Sequence, residues 1–279
     1  MIPKTTSDAV AALTLRQLPT TTVHQSRLQI FSPTRRPSDA KREIITPWGT
    51  ATVTGKLGQA HADFVEAILK HARDWRSSDT GQIQILVDPY VVRTTIGGGS
   101  KASYEQMWRV AQDVMRALID LKTSSLRVVG HIIDNIEESN ARVPNPLNRG
   151  ERALWRVTFA PAFVHLLGGD LHLHYDPKEI AMLTTGIAQA VARHVATHSR
   201  EPRGGWHIDG LILIVGAGGS SQTLRDRRRE LRRDSLGLLK LGLLLEGGRL
   251  RRCDAAVGGP QTNVTFNADQ VMAATLPRR

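Results

Sequence analysis

The chain has 279 residues, with 37 lysines and arginines against 26 acidic residues and a formal net charge of +11. Apolar residues make up 41% and charged residues 23%, so most of the chain is expected to be globular, as one large domain or two ordinary ones. The one cysteine, Cys253, excludes an intrachain disulfide and fits a reducing compartment, and no apolar run approaches the roughly 18 residues of a membrane span. The cationic excess favours a polyanionic partner, nucleic acid before an anionic membrane surface. The opening residues, MIPKTTSDAVAALTLRQLPTTTVHQ, hold no charged stretch leading into an apolar core. No secretory signal is therefore expected, and a cytoplasmic location is.

Residues 1–42 are rich in Thr, Ser, Pro and Arg with little periodicity, which predicts a flexible basic arm. EIITPWGTATVTG (43–55) alternates and predicts a strand. GQAHADFVEAILKHARDW (58–75) predicts an amphipathic helix with Phe64, Ile68 and Ala72 on one stripe. QIQILVDPYVVRTTIGGG (82–99) predicts a strand or short helix ended by glycines. SYEQMWRVAQDVMRALIDLK (103–122) predicts one long helix, capped by Ser103, that buries Met107, Val110, Ala111, Val114, Leu118 and Leu121. Strands are expected in SSLRVVGHII and ALWRVTFA, on either side of a polar loop, DNIEESNARVPNPLNRGE, and again in LHLHY (171–175).

A helix is expected over 177–199, then the loop REPRGG, a short apolar helix in HIDGLILIVG, a Gly-rich turn and a helix in SSQTLRDRRRELRRDSLGLLKLG (220–242). LLLEGGRLRRCDAAV (243–257) predicts a β-hairpin turning at Glu246-Gly247-Gly248. The last residues are expected to form an irregular tail. The two halves are weakly similar: IGGGSKASYEQMWRVAQDVMRALIDLKTSSLRVVG can be set beside VGAGGSSQTLRDRRRELRRDSLGLLKLGLLLEGG. Each passes from a glycine turn ending in Ser through one long helix to a strand, which suggests two copies of one module. Helix, short helix, turn, longer helix and hairpin is the order of a winged helix. The expected fold is therefore α+β, two tandem winged-helix domains over 43–175 and 176–258, with a tail over 259–279.

The segment 220–242 carries six arginines that a structural helix does not need. On a wheel of about 100° per residue, Leu231, Leu238 and Leu239 fall within about 60° of Leu224 and with it predict the buried stripe. Gln222, Arg225, Arg229, Arg232 and Arg233 cover the next sector. Asp226, Glu230 and Asp234 lie on a third, and a pairing of Arg227 with Glu230 is available. Ser220 or Ser221 can cap the N-terminus, whose free N–H groups favour phosphate. Arginine suits this face because its planar fork grips guanine or phosphate bidentately, and Gln222 suits adenine. Ser221, Gln222, Arg225 and Arg229 are the candidate base readers, and Arg228, Arg232 and Arg233 the candidate phosphate holders. Gly247, Gly248, Arg249, Arg251 and Arg252 would form a basic wing. In the first long helix, Arg109 and Arg116 are offset by Glu105, Asp113 and Asp120. That copy is expected to contribute an interface or modest phosphate contacts through Lys101, Arg109 and Lys122.

Other motifs are weaker. IGGGSK (96–101) and VGAGGSS (215–221) do not match the phosphate loop of nucleotide-binding enzymes, so no cofactor is expected. His165, His172 and His174 lack the spacing of a metal site, and none is expected. No nucleophile–histidine–acid set stands out, so an enzyme is the weaker class.

The stretch TLRDRRRELRRDSLGLLKLG, following IAQAVARHVATHSREPRGGWHIDGLILIVG, resembles the C-terminal winged helix of plasmid replication initiators. The likeness is to RepC initiators of IncQ-type plasmids, with TrfA-like initiators as cousins, and covers roughly residues 80–255. The resemblance implies a bacterial, plasmid-associated, non-enzymatic protein that binds direct repeats (iterons) in double-stranded origin DNA. Such proteins help to open an adjacent AT-rich segment and recruit helicase and other replication proteins, and their dimers tend to be the inactive or self-repressing, copy-controlling form. Arg225, Arg227, Arg228, Arg229 and Arg232 occupy the basic recognition-helix pattern, while Asp226 and Glu230 depart from it toward acid. The alternatives are a winged-helix transcriptional repressor and, more remotely, a Rep nuclease-relaxase with Tyr175 beside His172 and His174.

Overall fold

The computed structural model describes residues 18–96, 102–124, 126–145 and 149–253. It is a mixed α and β structure whose sheets are small and antiparallel. The elements begin with β1 (Thr21–Thr22), α1 (Val23–Arg27), β2 (Ala40–Thr46), β3 (Gly49–Gly55) and α2 (Gln59–Lys70). Then come β4 (Asp74–Ser77), β5 (Ile83–Val87), α3 (Pro89–Ile96) and α4 (Tyr104–Arg116). Strands β6 (Leu118–Thr123), β7 (Arg127–His131), β8 (Ile133–Pro144) and β9 (Glu151–Phe159) complete the first half, and α5 (Pro161–Gly169) and β10 (His172–Leu173) lead out of it. The second half holds α6 (Pro177–Ala181), α7 (Gly186–Ala196), β11 (Trp206–His207), α8 (Ile208–Ile214), α9 (Ser221–Arg233), α10 (Ser235–Lys240), β12 (Leu243–Glu246) and β13 (Arg249–Arg252).

The halves share part of their element order. In the second, helix α7 precedes strand β11, short helix α8 and long helix α9, and the closing hairpin gives a sheet of order β11-β13-β12. In the first, α2, β5, α3 and α4 follow the same order, and the sheet contains β5-β9-β8. The strand after α4 is not the counterpart of β12. Strands β6 and β7 are inserted there and join β2 and β3 in a separate sheet of order β2-β3-β6-β7. The buried apolar side chains correspondingly fall into two clusters. One is centred on Phe64, Ile68, Met107, Phe159 and Phe163, the other on Ile187, Val191, Ile212, Leu231 and Leu238.

Five local expectations need correction. The helix expected over 103–122 ends at Arg116, because Ala117 takes an extended backbone (ψ 139°) and Leu118–Thr123 pairs with both β3 and β7. Leu118, expected in the core, is 40% exposed on the outer face, while Ile119 and Leu121 point inward. The polar segment expected as a loop is mostly β8, half of a long hairpin with bulges near Asn135 and before Arg142. The helix expected over 177–199 is two helices, α6 capped by Asp176 and α7 capped by Thr185. The helix expected over 220–242 breaks at Asp234, so Leu238 is buried on α10 while Leu239 is 45% exposed.

Within the segment expected as a mobile arm, residues 18–35 are packed, and Ala40–Arg42 begin β2. Thr21 and Thr22 pair with Leu173 and His172, and Leu18, Val23, Leu28, Ile30 and Phe31 are buried. This segment ties the halves together. Arg35 donates to the carbonyls of Ala181 and Leu183, Gln29 Nε2 to that of Ile214, and the backbone at Thr34 passes both Gly58 before α2 and Gly186 at the start of α7. Residues 1–17 and the tail from 254 lie outside the described residues.

The equivalent helices α2 and α7 meet through a buried polar cluster. Arg193 donates to Glu66 through Nε at 2.9 Å and a terminal nitrogen at 2.8 Å, to Asp63 at 2.6 Å and to Gln59 at 2.7 Å. Tyr175 donates its hydroxyl to Glu66 at 2.7 Å. Burial pushes the Asp63 carboxyl up to about 6 against the pull of Arg193.

Candidate nucleic-acid interface

Helix α9 is built as expected at its start. The Ser220 hydroxyl accepts from the Thr223 N–H, which satisfies one orphan donor of the first turn. The preceding turn needs Gly216 at φ +76°, and the Ala217 N–H returns to the Ile212 carbonyl at 2.9 Å. Leu231 is 2% exposed and Leu224 packs against the same core, so the opposite side of the helix faces solvent.

The arginines divide into two groups. Arg228 makes a bidentate pair with Asp209 of α8, at 2.6 and 2.7 Å, and that hydrogen bonding holds the Asp209 carboxyl below the usual range. It braces α8 against α9, so this expected phosphate holder is already paired with a carboxylate. Arg227 donates to Glu230 at 2.8 Å, and Arg229 lies 3.7 Å from Asp226. Arg225, Arg232 and Arg233 are exposed and have no ion-pair partner among the described residues. Ser221 and Gln222 are exposed on the first turn beside Arg225. The free cationic face of α9 is thus three guanidiniums, with Arg229 only loosely held.

Asp234, placed by the wheel on an acidic face, is 4% exposed. Its carboxylate accepts from the N–H and hydroxyl of both Thr184 and Thr185, at 2.6–2.9 Å. It fixes the C-terminal end of α9 to the N-terminal end of α7. The wheel treated Asp234 as a continuing helical position and so missed this anchor; the adjacent Thr184-Thr185 pair, a ready cap, was the available signal.

The hairpin β12–β13 turns at Gly247 (φ +56°) and Gly248 (φ +76°), with Glu246 opposite Arg249. Nothing approaches either glycine, so their backbone angles alone require the residue type. Its arginines also divide. Arg251 is exposed. Arg249 reaches the carbonyls of Gly204 and Gly205, and Arg252 caps the end of α7 through the carbonyls of Val195, His198 and Ser199 while stacking over Trp206. Arg252 therefore ties β13 to the end of α7.

The first half presents a different face. Helices α4 and α9 are both 13 residues long and both follow a serine cap, which sets Trp108 at the position of Arg225 and Tyr104 at that of Ser221. Tyr104 is 46% and Trp108 39% exposed; Arg93 lies over the Tyr104 ring and Trp155 meets Trp108 edge-on. Arg109 is paired with Glu105 one turn away. Lys122 is exposed on β6, in the row with Thr50 and Arg127, and is not on the face of α4. Lys101 lies outside the described residues.

The remaining candidates settle into packing roles. Tyr175 is 4% exposed, and burial raises its hydroxyl well above the ordinary range, so it is not an accessible nucleophile. His172 contacts the Leu167 carbonyl through Nε2 at 2.7 Å. Among the described residues no group of three potential metal ligands converges, and no helix is long and apolar enough to cross a membrane. Comparison with protein-family models, with curated proteins and with solved structures returned no match.

Proposed function

We propose that the chain is a plasmid replication initiator, built from two tandem winged helices, that binds repeated double-stranded DNA sites through its second half. What carries the reading is α9: a helix anchored at both ends, braced by Arg228 to α8, with Arg225, Arg232 and Arg233 left free on the face away from the core. A recognition helix needs this separation, because a rigid mount lets unpaired donors meet base edges and phosphates without first breaking internal ion pairs. The hairpin β12–β13, with Arg251 exposed, extends from the same sheet that supports α8 and supplies the wing. The chain's charge of +11 favours a phosphate-lined partner. Binding positions the protein and deforms the duplex; no covalent step is involved.

Footprinting on the DNA flanking the gene, combined with permanganate probing of unpaired thymines, tests the reading. An initiator protects a series of repeats and makes thymines in an adjacent AT-rich segment reactive. A transcriptional repressor of the same architecture protects its site and leaves neighbouring thymines unreactive. Absence of any protected site overturns both.

A further inference from the structure

We infer that Asp226 is a positioning residue for base recognition: it fixes the amide of Gln222 so that α9 selects adenine at one position of its site. The inference rests on α9 entering the major groove, as proposed above. It starts from a feature that a basic recognition helix does not need, an acid at the edge of its reading face, next to Gln222.

Gln222 and Asp226 stand four residues apart on α9, so their side chains are neighbours. Gln222 Nε2 lies 3.1 Å from each Asp226 oxygen. An ionised carboxylate only accepts hydrogen bonds, so the side-chain NH2 must face it. That decides an ambiguity a free glutamine would keep. With its NH2 held at the carboxylate, the amide leaves its carbonyl, and the N–H beside that carbonyl, for a base. A carbonyl with an adjacent N–H is complementary to the amino group and N7 of adenine in the major groove. A glutamine free to rotate would offer either sense and discriminate less.

Asp226 also acts on the neighbouring contacts. Its carboxylate draws Arg229 to within 3.7 Å, away from the phosphates, and opposes the base oxygens of guanine and thymine at the same position. Arg225, without a carboxylate partner, remains the donor for an adjacent guanine. The two turns of α9 from Gln222 to Arg229 thus set several donors around one acceptor group.

The test is selection of bound duplexes from a random pool by the full chain and by Asp226→Asn, Asp226→Glu and Gln222→Ala. The wild-type chain should enrich a site in which one adenine depends on Gln222. Asn offers both donor and acceptor atoms, so Asp226→Asn should lower the preference for that adenine about tenfold. The same variant should bind unrelated duplex more tightly, because a negative charge has left the face that meets phosphates. Asp226→Glu keeps an acceptor at the same spacing and should restore the preference. An unchanged adenine preference in Asp226→Asn overturns the inference and leaves DNA recognition by α9 intact. So does an equal loss for selected and unrelated duplexes, which marks a merely structural residue. Failure of the wild-type chain to enrich any site overturns the inference together with the reading beneath it.

Discussion

Arg193 and Glu66 form a bidentate ion pair, at 2.8 and 2.9 Å, between two helices that hold equivalent places in the two halves of the chain. Both side chains are almost wholly buried, at 4% and 2% exposure. A buried pair of this kind contributes little net stability while intact, but leaving one partner alone strands a charge in a low-dielectric interior. Arg193→Ala should therefore cost about 3–5 kcal/mol, measured by urea denaturation. Replacing the whole cluster with apolar residues of similar volume should cost much less. A single-site loss under about 1 kcal/mol would show that the joint is solvated or dispensable.

The passage of the chain at Thr34 gives a second prediction. A Cβ added at Gly186 would sit 2.5 Å from Thr34 Cα and 2.6 Å from its carbonyl carbon, both backbone atoms that cannot swing aside. Gly186→Ala should destabilise by about 1–3 kcal/mol even though alanine is the better helix former. Gly210→Ala in α8, where the nearest atom would lie 3.9 Å away, is the control and should be neutral or slightly stabilising. Equal melting temperatures for the two variants would argue against the close contact.

The brace between α8 and α9 separates two kinds of arginine. Arg228→Ala and Asp209→Ala should loosen α9 to the same extent, and the double variant should be no worse than either alone. Hydrogen exchange of the α9 amides is the measurement. Independent, additive effects of the two substitutions would mean that the pair is not formed in solution.

Acid stability supplies a fourth test. Burial, with His198 and Arg27 nearby, pushes the His194 imidazole down to about 3. The unfolded chain takes up that proton near 6.5, so this group's contribution is lost as pH falls from about 6.5 toward 3. Asp63 has the opposite sign: its folded carboxyl protonates near 6, above its ordinary 3.8, and so adds stability as pH falls through that interval. His61, His71, His174 and His198 are also held low by burial, so the histidines outweigh it. Between pH 7 and pH 5 the wild-type chain should lose stability on the order of a few kcal/mol. His194→Gln should lower stability at pH 7 yet flatten the slope; an unchanged slope would remove His194 as a source of it.

The local part of this architecture was legible in the sequence. Ser220 and Ser103 cap their helices, the two-glycine turn closes the last hairpin, and Arg227 pairs with Glu230, because each involves residues within a few positions of one another. What the sequence hid was set by distant partners. Leu118 and Leu121 continue the helical spacing of Val114, but pairing with β3, far upstream, turns that segment into a strand. Thr21 and Thr22 look like loop residues until His172 and Leu173 supply their partners. Arg228 stands among the expected phosphate holders because its partner, Asp209, lies on another helix, and no periodicity within α9 records that contact.

Salt titration of duplex binding decides whether α9 meets DNA with its free arginines. The slope of log affinity against log salt counts the phosphates neutralised, at about 0.9 each. Removing Arg232 and Arg233 together should reduce the slope by roughly two for every duplex sequence, while Arg228→Ala leaves it unchanged. A slope indifferent to Arg232 and Arg233 would place the DNA elsewhere on the protein, and one equally reduced by Arg228→Ala would contradict the division between braced and free arginines.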